Sequence, residues 1–134
     1  MEQRRPSVQS QITFLYYHEI ESVHHFYQEV LGMELVADQR WAKIYRTGGN
    51  GFLGIVRGDR GYHRPRQDSA VLLTLVVDDV DEWYQYLQAR GVNLLTAVKE
   101  MAEIQVRGFF LKDPGGYTIE IQQFLDAETA RSFE

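Results

Sequence analysis

Cysteine is absent from this chain of 134 residues, which excludes disulfides, thiolate metal sites and cysteine nucleophiles. Positive charge is scarce as well: 14 Lys and Arg stand against 19 Asp and Glu, and the net charge is -5. Because nucleic acid is bound mainly through basic residues, this balance argues against a nucleic-acid partner. No apolar run approaches the roughly 20 residues of a membrane span, so we expect no membrane partner.

Other familiar signals are missing too. The N-terminal stretch MEQRRPSVQSQ has no apolar segment of the kind found in secretion signals, and we therefore expect a cytoplasmic protein. The chain contains no P-loop, no G-x-S-x-G motif and no dinucleotide-binding fingerprint. Hydrophobic residues make up 44% of the sequence, which is enough to build the core of one domain.

The sequence does contain an ordered series of strand and helix patterns. Residues 11–57 predict a strand (QITFLYY), a helix (HEIESVHHFYQEVLG) and three strands (MELVADQR, WAKIYRT and GFLGIVR). Residues 58–69, GDRGYHRPRQDS, predict a linker loop. In residues 70–124 the series restarts with AVLLTLVV, DDVDEWYQYLQARG, VNLLTAV, IQVRGFFLK and GYTIEIQQF, of which VNLLTAV is a strand or a ragged edge. Residues 125–134 form a tail in which a short helix could start at Asp126.

The two series match at nearly constant offsets. Residues 15–17 correspond to residues 75–77, and the helix-ending Gly32 corresponds to Gly91. Such spacing indicates a duplicated βαβββ unit. The predicted fold is therefore α+β, with two tandem βαβββ modules in a single domain. Their uncovered sheet faces would curl into a half-open barrel around a concave cleft, the usual kind of place for a small-molecule site.

Two motifs resemble a known family. EIESVHHFYQEVLGMELV (19–36) is similar to the acidic-start helix of the vicinal oxygen chelate superfamily, also called glyoxalase/bleomycin-resistance/dioxygenase proteins. DPGGYTIEI (113–121) is similar to its D-P-x-G-x-x-x-E signature. The segment from WAKIYRT to RGYHR resembles an uncharacterised bacterial branch of that superfamily. The resemblance implies the paired βαβββ fold and, in the metal-dependent members, a divalent ion held by His, Gln or Glu.

The positions that the resemblance assigns to metal ligands are mostly aliphatic here. They read Ile12, Ile55, Leu72 and Glu120, so three of the four cannot coordinate an ion. Zinc sites use at least three protein ligands, and one carboxylate holds a divalent cation poorly. We therefore expect no cofactor. A divalent metal is disfavoured, and Glu120 is the residue that would contact one.

Glu120 is the best candidate for a functional or catalytic residue. If it faces the cleft, strand parity and neighbouring strands predict a ligand site of aromatic, aliphatic and hydrogen-bonding groups. Its members are Phe14, Tyr16, Trp41, Tyr45, Thr74, Arg107, Phe109, Thr118, Glu120 and Gln122. A carboxylate among aromatic rings suits a cationic ligand. The alternative is that Glu120 forms a structural ion pair with Arg107.

Three functions remain open from the sequence. The first is metal-free binding of a small organic ligand, similar to the drug-sequestering members of the superfamily, which are typically homodimers whose clefts involve both chains. The second is a metal-dependent lyase, isomerase or dioxygenase that combines Glu120 with Gln11, His18 or His63. The third is a structural or regulatory module whose cleft is filled by its own side chains.

The linker loop carries an unusual run of charge. It includes His63, which could cover the cleft. Three arginines, Arg60, Arg64 and Arg66, lie in the loop, and Arg57 directly precedes it. The arginines are interpreted as a solvated loop surface or, alternatively, as a grip on an acidic ligand.

Overall fold

A computed structural model describes residues 4–134; residues 1–3, the start of the polar N-terminal stretch, lie outside the described part. The first module comprises β1 (Thr13–Tyr17), α1 (Glu21–His25) with a π-helical turn (Phe26–Val30), β2 (Glu34–Asp38), β3 (Ala42–Gly48) and β4 (Gly51–Arg57). The second comprises β5 (Leu72–Val76), α2 (Val80–Ala89), β6 (Lys99–Met101), β7 (Val106–Lys112) and β8 (Thr118–Phe124), and α3 (Ala127–Arg131) follows.

The strands form two four-stranded mixed sheets with the same order, β1-β4-β3-β2 and β5-β8-β7-β6. In each sheet the first and last strands of the module pair in parallel, and the other pairs are antiparallel. Both sheets are open, and neither closes into a barrel. The predicted α+β fold of two βαβββ modules is confirmed.

Each sheet has a helix side and an open side. On β8, Ile119 and Ile121 are fully buried on the helix side, while Thr118, Glu120 and Gln122 alternate with them and remain partly exposed. On β1, Leu15 and Tyr17 are buried on the helix side, while Phe14 is 38% exposed. This is the alternation that a strand with one covered face requires.

Local signals explain where the helices start and stop. The Glu19 carboxylate accepts the backbone N–H of Glu21 at the start of α1, and Asp79 accepts that of Glu82 at the start of α2. Both helical segments are followed by a glycine at positive φ, Gly32 at 74° and Gly91 at 70°. The sequence predicted these ends, but it did not predict the π-helical turn after α1.

One predicted segment is irregular. VNLLTAV was interpreted as a strand or a ragged edge; the strand that follows α2, β6, is only three residues long and begins after this segment, at Lys99. Leu94 forms an isolated bridge with Leu111, and the backbone N–H of Leu95 bonds to the carbonyl of Phe110 at 2.8 Å. The apolar segment therefore lies along the end of β7 as irregular chain, since its side chains pack there without forming a ladder.

A buried carboxylate joins the modules. Asp113 is 4% exposed and lies in the D-P-G-G turn between β7 and β8. Its Oδ2 accepts hydrogen bonds from the hydroxyls of Tyr17 and, at 2.7 Å, of Tyr27, which belong to the first module. Its Oδ1 accepts the backbone N–H groups of Gly115 and Tyr117 at 3.0 and 2.9 Å. The same side chain therefore shapes the turn and holds the first module against it.

Further contacts complete this junction. The Tyr117 hydroxyl donates to the carbonyl of Tyr16 at 3.0 Å and accepts its N–H at 3.1 Å. The Tyr86 hydroxyl of α2 donates to the carbonyl of Val30 at 2.7 Å. The helix sides of both sheets contribute to one continuous apolar core. In the part of the chain that the structure describes, no helix has the length and apolar character to cross a membrane.

Candidate functional site

Glu120 lies on the open side of the second sheet, half-buried, with its carboxylate held by neutral donors. Oε1 accepts the Thr74 hydroxyl at 2.9 Å, and Oε2 lies 3.5 Å from the side-chain amide nitrogen of Gln122. Thr74 and Phe110 are the residues directly opposite Glu120 on β5 and β7. Within residues 4–134 no lysine or arginine comes within ion-pair distance of this carboxylate. Its charge is therefore fixed in place and left without a counter-charge.

Six of the ten residues predicted for the ligand site lie on the open sides of the sheets. They are Phe14, Tyr16, Thr74, Thr118, Glu120 and Gln122. In the second sheet they form rows in register, because Leu72 pairs with Thr118, Thr74 with Glu120 and Val76 with Gln122. The structure thus brings the four members of the second module together, whereas Phe14 and Tyr16 lie on the other sheet.

Three other predicted residues lie on the helix sides. Tyr45 is fully buried, and its hydroxyl lies 2.6 Å from Nδ1 of His24 on α1. Phe109 is also fully buried, and its ring meets Tyr84 of α2 edge to face at 5.1 Å. Arg107 faces α2 as well. These side chains pack between sheet and helix, because on their own strands they alternate with the residues that face the open side.

The alternative ion pair between Glu120 and Arg107 is wrong. Arg107 forms a two-point pair with Asp81, with Nε–Oδ2 and Nη2–Oδ1 distances of 3.0 and 2.8 Å. This hydrogen bonding lowers the pKa of Asp81. The remaining predicted residue, Trp41, precedes β3 and lies half-buried beside the linker loop, where the guanidinium of Arg60 sits 5.8 Å from its ring centre.

The strand register shows that one of the four positions compared with metal ligands, Ile55, was assigned wrongly. Thr74 pairs with Glu120 in the second sheet, and Phe14 pairs with Gly54 in the first, so the counterpart of Glu120 is Gly54 rather than Ile55. Ile55 is fully buried on the helix side. The offset between the last strands of the two modules, β4 and β8, is therefore 66 residues and not 65. Because neighbouring residues of a strand point to opposite faces, this difference of one residue changes the sheet face assigned to the counterpart of Glu120.

The donor groups around Glu120 do not suit a divalent ion. Gly54 supplies no side chain, and the other two corresponding positions, Ile12 and Leu72, are aliphatic. Among residues 4–134, no cluster of three or more His, Asp or Glu side chains is arranged to hold a metal ion. Because such ions need several charged or imidazole ligands, no mechanistic step through a metal follows from these residues.

The open side of the first sheet is partly covered by the chain itself. The N-terminal segment borders it, since residues within 7–12 line a cavity with Val36, Ile44 and Phe52, while Phe14 and Val36 remain 38% and 40% exposed. The linker loop covers the other end, where a Cβ on Gly61 would lie 2.5 Å from the Tyr16 ring. Ile44 is consequently only 9% exposed although it faces away from the helices.

Buried hydroxyl and imidazole groups have displaced pKa values. Burial, with the nearby Tyr27 and Asp113, raises the pKa of Tyr17 well above its ordinary value. Burial likewise raises the pKa of Tyr27 and of Tyr45. Burial and the charge of Lys43 lower the pKa of His24. All four groups lie on the helix side, so these shifts concern folding more than ligand binding.

Two important residues were not singled out by the sequence. Asp113 was considered only as part of the DPGGYTIEI motif, although it contacts both modules. Phe110 was missed because it neighbours the predicted Phe109, yet it is Phe110 that lies opposite Glu120. The signal for Phe110 was present: its position alternates with Phe109 and Leu111, which are fully buried.

Comparisons with known proteins agree with this architecture. A comparison with curated proteins found no match. Among solved structures, the fold is similar to a lactoylglutathione lyase from Agrobacterium tumefaciens, with a TM-score of 0.71 and 20% identity over 90% of this chain and 96% of that one. It is also similar to a glyoxalase/bleomycin resistance protein/dioxygenase from Nocardioides, with a TM-score of 0.73 and 18% identity over 94% and 88% of the two chains.

A third similar structure is TioX from Micromonospora sp. ML1, with a TM-score of 0.73 and 19% identity over 88% of this chain and 100% of that one. At these identities the likeness concerns the fold. The sequence itself matches a family model over residues 10–121, which include the first module, nearly all of the second and both motifs. The chain therefore belongs to the Glyoxalase/Bleomycin resistance protein/Dioxygenase superfamily.

Proposed function

We propose that this protein binds a small organic molecule with a cationic group on the open side of the second sheet, and that binding needs no metal ion. The observation that supports this most directly is the environment of the Glu120 carboxylate. Its carboxylate is half-buried, oriented by Thr74 and Gln122, and without a lysine or arginine partner among the described residues. A partly desolvated anion of this kind gains most from a ligand that brings the missing charge.

The surroundings of Glu120 suit the apolar part of such a ligand. Phe110 lies directly across the strand pair, while Leu72 and Val76 are 48% and 39% exposed on the neighbouring strand. The carboxylate attracts an organic cation by its charge, and an aromatic ring beside it adds a cation–π contact. Lys112, which faces this side from β7, donates to the carbonyl of Gly116 at 3.1 Å.

We also propose that the site is completed by a second copy of the chain. Besides Leu72 and Val76, Met101 is 55% exposed on the same side of the sheet. Grouped apolar side chains on an open sheet face commonly mark an interaction surface. Light scattering coupled to size-exclusion chromatography should give the mass of a dimer for the wild type and of a monomer for Leu72→Lys; monomeric wild-type protein would contradict this part.

A set of probes with one ring system and three charges tests the binding proposal. Calorimetric titration with 2-naphthylmethylammonium, 2-naphthamide and 2-naphthoate compares a cation, a neutral amide and an anion. We expect the cation to bind at least tenfold more tightly than the amide, and Glu120→Gln to lose at least that factor, as for a charge-assisted hydrogen bond of about 1.5–3 kcal/mol. Glu103→Gln, an exposed carboxylate in the turn before β7, is the matched control and should bind like the wild type.

Two results would overturn the proposal. Equal affinity for the cation and the amide would show that Glu120 does not select charge. Stoichiometric Zn²⁺, Ni²⁺, Mn²⁺ or Fe²⁺ in the purified protein, lost in Glu120→Gln, would instead favour a metal-dependent enzyme that uses Glu120 as a ligand.

A further inference from the structure

We propose a second binding site, for an aromatic organic anion, between β1 and the linker loop. A cavity of ≈ 520 Å³ opens there, within the size range of small-molecule sites. Its lining includes Phe14, Tyr16, His63, Arg64, Arg66 and Tyr117. The cavity lies beside the first sheet, and its chemistry is the opposite of that around Glu120. The two proposals can therefore fail separately.

Local charge is the first argument. The chain has a net charge of -5, yet residues 57–66 contain four arginines and one aspartate. Three of the arginines are engaged. Arg57 pairs with Asp59 at 2.6 Å, Arg60 lies over Trp41, and Arg64 donates to the carbonyls of Gly61 and His63 at 2.8 and 3.0 Å.

Arg66 is the exception. Within residues 4–134 it forms no ion pair and no side-chain hydrogen bond, although it borders the cavity. It also borders a neighbouring cavity of ≈ 690 Å³, together with His18 and Lys112. One carboxylate, Asp68, lines both cavities. The guanidinium of Arg66 thus stands between two cavities with all its donors available, and it is suited to a two-point contact with a carboxylate.

The apolar walls of the cavity are aromatic. The His63 and Tyr16 rings meet edge to face with their centres 5.5 Å apart, and Phe14 lies flat over the backbone of Gly54, 38% exposed. Flat rings beside a guanidinium favour a planar ring that bears an acidic group over a compact inorganic ion.

The loop that carries Arg66 is anchored at two glycines, although most of its side chains, including Arg66, are exposed. Gly61 approaches Tyr16 and Val56 so closely that a Cβ there would lie 2.5 and 2.6 Å from their side chains. Gly58 approaches the Pro65 ring in the same way. Because the loop is already ordered by these contacts and by Arg64, ordering it on binding costs little free energy.

The same three naphthyl probes test this site, and here the anion rather than the cation is expected to bind most tightly. We expect 2-naphthoate to bind at least tenfold more tightly than 2-naphthamide, and Arg66→Gln to lose that preference. Arg66→Lys should keep part of it, because a lysine retains the charge and loses the planar fork. Arg131→Gln, an exposed arginine on α3, is the matched control.

Each contrary result has a clear meaning. The proposal is overturned if naphthoate binds no better than the amide, or if Arg66→Gln binds naphthoate like the wild type while its melting temperature is unchanged. Competition by inorganic phosphate at an equal concentration would overturn the aromatic part, because it would show that the cavity selects charge alone.

Discussion

The two sheets have the same strand order, but the surfaces on their open sides differ. In the first module the N-terminal segment and the linker loop border the sheet, and Ala42, Ile44 and Val56 are 2%, 9% and 3% exposed there, while Phe14 and Val36 are 38% and 40% exposed. In the second module the stacking of Phe133 on Phe124, with ring centres 4.9 Å apart, covers one end of the sheet. Leu72 and Met101 remain 48% and 55% exposed.

This difference shows how a duplicated unit divides its roles. Both copies need the helix side of the sheet for the core, so that side is apolar in both. The open side is free to vary. The first module packs parts of its own chain against this side and leaves a basic, aromatic cavity beside the loop, while the second module carries the half-buried carboxylate of Glu120 there. The duplication therefore sets the strand order, and the segments between and before the modules set the surface chemistry.

The largest effect is expected from breaking the contact that holds the two modules together. Asp113→Ala leaves the hydroxyls of Tyr17 and Tyr27 without their acceptor in a buried place. Unpaired buried groups of this kind should lower the free energy of unfolding by about 3–5 kcal/mol, measured by urea denaturation. Asp126→Ala, which removes the cap of α3, should cost only about 1 kcal/mol. Equal losses for both variants would contradict a joining role for Asp113.

The next effect compares the two open sides directly. Ile44→Ala removes a buried side chain and should lower the free energy of unfolding by about 2–5 kcal/mol. Leu72→Ala should cost less than about 1 kcal/mol at low protein concentration and more at high concentration, where a second copy would cover it. Urea denaturation at two protein concentrations separates these cases. A concentration-independent loss at Leu72 as large as that at Ile44 would mean that both sides are covered within one chain.

A smaller effect is expected from displacing the linker loop. Gly61→Val places side-chain atoms against Tyr16 and Val56 and should cost about 1–3 kcal/mol through overpacking. The displaced loop should also be cleaved faster by trypsin at Arg60 or Arg66, whereas Arg64 precedes a proline and is not a trypsin site. Gly48→Ala is the control, because nothing lies within 4 Å of a Cβ there. Unchanged cleavage in Gly61→Val would show that the loop is not held by this contact.

The smallest effect concerns acid stability and distinguishes the helix sides. The first module pairs His24 with Tyr45, where the second pairs Tyr84 with Phe109. Because the pKa of His24 is lowered in the fold, the unfolded chain binds a proton more readily, and stability is lost as the pH falls below about 6.5. The melting temperature should therefore drop between pH 7.5 and 5.5, and His24→Gln should reduce that drop. An identical drop in both proteins would assign it to other groups.

Much of this architecture follows from patterns that one strand or helix carries by itself. Alternation on β8 separated Ile119 and Ile121 from Glu120, and the glycines after the helices marked their ends. Errors arose where the outcome depended on a partner strand. The counterpart of Glu120 was misplaced by one residue, at Ile55 instead of Gly54, because hairpin and bulge lengths set the register. For the segment VNLLTAV the sequence left a strand and a ragged edge open, and its packing against β7 makes it a ragged edge.

The site was harder to predict than the fold. Parity separated Thr74 and Gln122 from the core, but it did not show which sheet face would be covered, since that depends on distant segments. Asp113 illustrates the limit: its role depends on Tyr17 and Tyr27, which are 96 and 86 residues away in the chain. No local pattern records such a contact.

The Tyr117 hydroxyl, which bonds to both the N–H and the carbonyl of Tyr16, also has a consequence for self-assembly. β1 is an edge strand, and unpaired backbone groups on an edge attract strands from other chains. A phenol from the other module occupies these two groups, so an incoming strand would find no hydrogen bonds at that point. A side chain at the module junction thereby protects the sheet from the uncontrolled pairing that leads to aggregation.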